Sequence, residues 1–148
     1  MIEDIKKLRQ ETGFSVSLCK SALEEAGGNR EKALNILKGK GAAATAKKAD
    51  RELKAGTIGS YVYNTKNIGA MVNLRCETDF VAQNGEFQGL ARDIAMHISA
   101  INPEDLAKLM SEAFVKDESK TIKDLIEAAT QKFGERIEVA QFARFSTQ

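Results

Sequence analysis

An α+β architecture follows from three features of this 148-residue chain. Its first forty residues carry helical spacing alone. Its middle holds two strand-like runs around a short polar turn, the second of period two, and a run with apolar residues at alternate positions closes the chain. The strongest helical pattern lies between the second and third of these runs. Strands and helices in that order, with short connections, predict a three-stranded antiparallel sheet with helices packed on one face. A sheet that small needs helical cover to be stable.

Residues 1–40 read as three short helices. Ile2, Ile5 and Leu8 fall three apart. Cys19, Ala22, Leu23 and Ala26 give an i, i+3, i+4, i+7 face, and Ala33, Leu34 and Leu37 form a third stripe. Thr12-Gly13 closes the first helix, Ser15 or Ser17 caps the second, and Gly27-Gly28-Asn29 ends the second and caps the third. Forty residues is near the lower limit for independent folding, so this core must be tight. Residues 41–56, rich in Ala and Lys and without an apolar face, read as a partly helical linker between two domains.

The second domain spans 57–148. TIGSYVY (57–63), NTKN (64–67) and IGAMVNLRC (68–76) read as a hairpin, with Ile68, Ala70, Val72, Leu74 and Cys76 on its buried face. NGEFQGLARDIAMHISAIN (84–102) sets Phe87, Leu90, Ala91, Ile94, Ile98 and Ile101 on one side of a helix capped by Asn84. Asn102-Pro103 ends it, and Pro103 is expected at the first position of another short helix. Phe114-Val115 reads as a brief strand. A capping box from Thr121 to Asp124 opens a helix with Ile122, Leu125, Ile126, Ala129 and Phe133 as its stripe and Gly134 as its stop. In RIEVAQFARF (136–145), Ile137, Val139, Ala143 and Phe145 take alternate positions of the last strand.

Composition excludes several function classes. The net charge of +1 hides a mild polarity: twelve Lys or Arg against eight Asp or Glu in residues 1–56, ten against thirteen beyond. That is too weak to require nucleic acid. Lys47, Lys48, Arg51 and Lys54 also lack the interleaved aromatics of a nucleic-acid stripe. Two cysteines, Cys19 and Cys76, fit a reducing compartment and suggest no metal site. The N-terminus is charged from its third residue, and no apolar run reaches about 20 residues. A cytoplasmic protein without membrane contact is expected.

No constellation for catalysis emerges. The one histidine, His97, lies toward the edge of its helix's apolar face, where a structural contact is expected rather than a general base. GKGAAATAKK lacks the Gly-Lys-Ser/Thr ending of a phosphate loop and follows a helix rather than a strand, so no nucleotide and no other cofactor is expected. What remains is surface recognition, and CETDFVAQN (76–84) draws attention. It sets Phe80 directly after Asp79 at a strand-to-helix junction that neither periodicity claims. Phe80 is either a plug for the chain's own core or an exposed anchor for a partner's pocket.

That motif also carries a resemblance. With IKKLRQETG (5–13), CKSALEEAGGN (19–29), KALNILKGKG (32–41), AKKADR (46–51), LARDIAMHI (90–98) and QFARF (141–145), the chain resembles the bacterial translation elongation factor Ts family over essentially its whole length. The resemblance implies a ubiquitin-associated-like fold for the three N-terminal helices. It also implies a non-enzymatic function, guanine-nucleotide exchange on elongation factor Tu in its GDP-bound and nucleotide-free states. Asp79 and Phe80 would press into the partner's G domain near its Mg-GDP site. Thr78, Val81 and Asn84 would complete that motif, and Gly13, Val16, Cys19 and Lys20 would form the N-terminal docking surface. Short members can pair through their sheets, which leaves a homodimer open for this chain. The alternative is an adaptor that uses the N-terminal three-helix domain. TGFSVSLCKSAL (12–23) departs from the family's TGAGMMDCKKAL at Ser15, Leu18 and Ser21. Only ten residues separate Pro103 from Phe114, where familiar members carry a helical segment.

Overall fold

In the computed structural model, which describes residues 1–148, three helices lead the chain: α1 (Ile2–Thr12), α2 (Val16–Glu25) and α3 (Arg30–Lys47). Their boundaries are chemical. Gly13 closes α1 at φ 75°, a conformation that disfavours a side chain, and its N–H donates to the Arg9 carbonyl at 2.8 Å. Ser15, not Ser17, caps α2: its hydroxyl accepts the Leu18 N–H at 3.2 Å. Asn29 caps α3 through the Lys32 N–H at 3.1 Å. Leu8, Phe14, Cys19, Ala22, Leu23, Ala33 and Leu37 make the core between the helices.

These helices belong to the first of two compact units, Met1–Asp50 with Ile126–Glu135. Here α3 outruns its expected end. It continues to Lys47, and Gly41 and Ala44 are buried along it. A Cβ on Gly41 would stand 3.2 Å from the Glu127 carbonyl oxygen. The segment does therefore have a buried side. Apolar periodicity passes over it because that side is made of a glycine and an alanine.

The second unit comprises Arg51–Leu125 with Arg136–Gln148. Strands β1 (Ala55–Val62), β2 (Ile68–Cys76) and β5 (Glu138–Ser146) form an antiparallel sheet in the order β1-β2-β5. Helix α4 (Asp79–Ala82) leads into α5 (Gly85–Ile101), which lies across the sheet. Gly59 on β1 permits the contact: a Cβ there would stand 2.4 Å from the Ala91 carbonyl carbon. Ala70, Val72, Leu74, Cys76, Phe87, Ala91, Ile94, Ile98 and Val139 are buried. Each large member of that set stabilises the fold by roughly 1.5–3 kcal/mol before entropy.

Three details depart from expectation. Helix α6 spans Leu106–Ser111, so Pro103 is not its first residue; Asp105 caps it by accepting the Lys108 N–H at 2.8 Å, and Pro103 is buried ahead of it. The brief strand is β3 (Ala113–Phe114), and it pairs with β4 (Asp117–Thr121), whose sequence DESKT has no apolar alternation to announce it. The third concerns the last strand. Leu74 pairs with Val139 but Asn73 pairs with Gln141, so a bulge at Ala140 reverses the phase of β5. Val139 faces the core, while Ala143 and Phe145 turn to the opposite face. Phe145 is 74% exposed. The expected capping box does open α7 (Ile122–Phe133): Thr121 accepts the Asp124 N–H and Asp124 accepts the Thr121 N–H.

Candidate functional site

The CETDFVAQN segment builds a short, well-anchored turn. Thr78 leaves β2 in an extended conformation and caps α4, its hydroxyl accepting the Val81 N–H at 3.4 Å. The Cys76 thiol donates to the Thr78 carbonyl at 3.3 Å. Six residues after Thr78 the chain is capped again: Asn84 accepts the N–H groups of Glu86 (2.8 Å) and Phe87 (3.3 Å) and so starts α5. Gln88 reaches back to the Ala82 carbonyl at 3.3 Å. Thr78 and Asn84 thus shape backbone at the two ends of the motif.

Within the turn, side chains divide sharply. Val81 is 4% exposed and Ala82 is buried, so both belong to this chain's core. Phe80 is 85% exposed and Asp79 stands exposed beside it. A ring and a carboxylate are therefore offered side by side to solvent from a turn whose other apolar residues fix it in place. Of the two readings of Phe80, the core plug is excluded.

Glu77, which sequence reasoning passed over, holds the root of the turn. Its carboxylate accepts the backbone N–H of Arg136 and a hydrogen bond from Arg51 Nη1 at 3.4 Å. Arg136 is itself fixed, donating to the Arg51 carbonyl at 2.7 Å and to Glu138 at 2.6 Å. Arg75 donates to the Leu53 carbonyl at 2.8 Å. A charged residue inside the motif was the available signal, but partners 26 and 59 positions away cannot be read from spacing.

The N-terminal candidates lie in the first unit. Val16 and Lys20 are exposed on α2 and Gly13 is half-buried. Cys19 is fully buried in the helical core, and its thiol donates weakly to the Phe14 carbonyl at 3.8 Å. Burial pushes the Cys19 thiol up; a hydrogen bond with Thr12 and the charge of Arg9 oppose that shift.

His97 is buried, not at a boundary. Its Nδ1 accepts the Val115 N–H at 3.1 Å, so the ring hydrogen sits on Nε2 and donates to Glu112 at 2.9 Å. The ring is spent on fastening the Glu112–Val115 segment to α5. No three His, Cys, Asp or Glu side chains converge in a way that could hold a metal ion, and no helix is long and apolar enough to cross a membrane.

A family model described as Elongation factor TS matches residues 77–148. The elongation factor Ts of Thermodesulfovibrio yellowstonii is 40% identical over 185 residues, covering 95% of this chain and 92% of that protein. That of Thermosipho melanesiensis is 37% identical over 187 residues, covering 96% and 95%. That of Aquifex aeolicus is 43% identical over 152 residues, covering 99% of this chain and 52% of that protein. The first two alignments run longer than the chain's 148 residues, so those relatives carry residues with no counterpart here.

Proposed function

Because the chain belongs to the elongation factor Ts family, whose members are non-catalytic exchange factors for elongation factor Tu, we propose that it promotes GDP release through the turn carrying Asp79 and Phe80. In this reading Phe80 inserts between side chains of the partner's G domain, near the Mg-GDP site, and displaces them. Asp79 brings a fixed charge and hydrogen-bond acceptor to the same place. The supporting observation is the exposure of Phe80 on a turn whose Val81 and Ala82 are buried. No bond is made or broken. Interactions formed only when the nucleotide site is distorted do the work. By linkage, whatever factor the protein takes from GDP affinity, GDP takes from its own affinity for the partner. It therefore binds nucleotide-free elongation factor Tu more tightly than the GDP-bound form.

The remaining parts have roles in the same proposal. The three N-terminal helices act as a ubiquitin-associated-like docking domain (1–40), joined through 41–56 to the core (57–148). Val16 and Lys20 offer its contact surface, Gly13 the turn beside it and Cys19 the packing beneath it. Exposed ion pairs contribute only about 0–1 kcal/mol, so Lys20 steers more than it holds. The open face of the sheet carries Ile58, Val62, Met71 and Phe145, all exposed. That apolar face supports pairing of two copies through their sheets. The protein works in the cytoplasm, where its partner acts.

The test is the release of labelled GDP from elongation factor Tu. Acceleration at micromolar protein, saturable with protein concentration, is expected. A release rate unchanged at that concentration overturns the proposal.

A further inference from the structure

We propose that Glu77 is a positioning residue for exchange, setting the direction in which Phe80 leaves the protein; this rests on the reading of the Asp79–Phe80 turn given above. Glu77 directly precedes Thr78, the cap of α4, and so controls the backbone from which the ring departs. Two different restraints meet there. From the inside, the buried Cys76 thiol holds the Thr78 carbonyl. From the outside, the Glu77 carboxylate grips the Arg136 N–H at the approach to β5 and the Arg51 guanidinium.

The grip has a rigid counterpart. Arg136 cannot follow a loose turn, because its guanidinium is tied to the Arg51 carbonyl and to Glu138. Leu53 is held separately by Arg75 of β2. Glu77 thus fastens the turn to two points outside it, the Arg51 guanidinium and the Arg136 backbone just ahead of β5. A four-residue helix has too few internal hydrogen bonds to hold itself. Without Glu77, Phe80 remains exposed but samples several directions, and ordering it again must occur during exchange.

The carboxylate's role toward Arg136 needs only an acceptor oxygen. Glutamine supplies one and alanine does not. A double-mutant cycle separates positioning from general stability. GDP release from elongation factor Tu is measured with wild type, Glu77→Ala, Glu77→Gln, Phe80→Ala and Glu77→Ala combined with Phe80→Ala. Glu77→Ala is expected to lower the maximal rate roughly tenfold, the scale set by one hydrogen bond to a charged group. The concentration for half-maximal effect should change less than about twofold, as docking is made elsewhere. Glu77→Gln should recover most of the rate. In the Phe80→Ala background, Glu77→Ala should cost nothing further. Losses that multiply, or a Glu77→Ala rate equal to wild type, overturn the assignment.

A partner-free measurement keeps this distinct from the exchange reading. Amide hydrogen exchange of residues 78–83 in the isolated protein should quicken in Glu77→Ala and stay near wild type in Glu77→Gln, with β2 and α5 unchanged in both. Unaltered exchange at 78–83 in Glu77→Ala overturns the positioning role whatever the release assay gives. If wild type fails to accelerate GDP release, the exchange reading falls, and quickened exchange at 78–83 still upholds Glu77 as the residue that orients Phe80. Should Glu77→Ala not fold, Glu77→Gln carries the test: intact exchange protection and release rate uphold an acceptor role, and loss of both with the fold retained overturns it.

Discussion

Phe80 forgoes the roughly 1.5–3 kcal/mol that burial of its ring would contribute, and it does so between two residues, Thr78 and Val81, that are committed to structure. Its removal should therefore cost the fold little. Phe80→Ala is expected to change unfolding free energy by less than about 0.5 kcal/mol in urea denaturation; a loss above about 2 kcal/mol would place the ring in the core after all. Cys19 makes the converse case. Buried, with its thiol pushed up, it should resist a thiol reagent in native protein at pH 8 and react once unfolded. Prompt native reaction at Cys19 would contradict its burial. Asp117 offers a pH-dependent check. It accepts from the Ser119 hydroxyl at 2.6 Å and the Ser119 N–H at 3.1 Å, and these bonds hold its carboxyl below the usual range. A depressed carboxyl stabilises the fold above its unfolded value and loses that contribution as pH falls through its folded one. Ser119→Ala should move the Asp117 titration, followed by NMR, upward; no movement would remove the hydroxyl as its main cause.

At the scale of elements, most boundaries were legible because local chemistry made them. Gly13, Ser15, Asn29, Asn84 and the Thr121–Asp124 box stop or start helices as their side chains require. The hairpin was visible in the period of two of β2 and in the polar turn at 64–67. What escaped had non-local causes. The bulge at Ala140 depends on pairing with β2, so the alternation that joined Val139 to Phe145 was correct locally and wrong for the face. Strand β4 is polar because it pairs only with β3 at the surface. The site divided the same way: the Asp79–Phe80 junction stood out, while the grip of Glu77 on Arg136 did not. The close approach of α5 to β1 gives a test at this scale. Gly59→Ala puts a methyl against the Ala91 backbone and should cost about 1–3 kcal/mol in denaturant. A cost near zero would mean that the helix does not lie as close as described.

Across the whole molecule, two compact units each carry part of the expected contact surface, with Val16 and Lys20 in one and Asp79 and Phe80 in the other. Pairing of two copies through the open sheet face, as proposed, predicts a dimer mass for wild type and a monomer mass for Phe145→Glu by light scattering; a monomeric wild type, or an unchanged mass in the variant, would remove that face from the account. The exchange reading asks most of Phe80. Its most direct test is the rate of labelled GDP release from elongation factor Tu across a range of concentrations of wild type and Phe80→Ala. The account predicts a maximal rate at least about tenfold lower for the variant, the effect of truncating an interface anchor, with the fold intact. Equal maximal rates for the two proteins would contradict it.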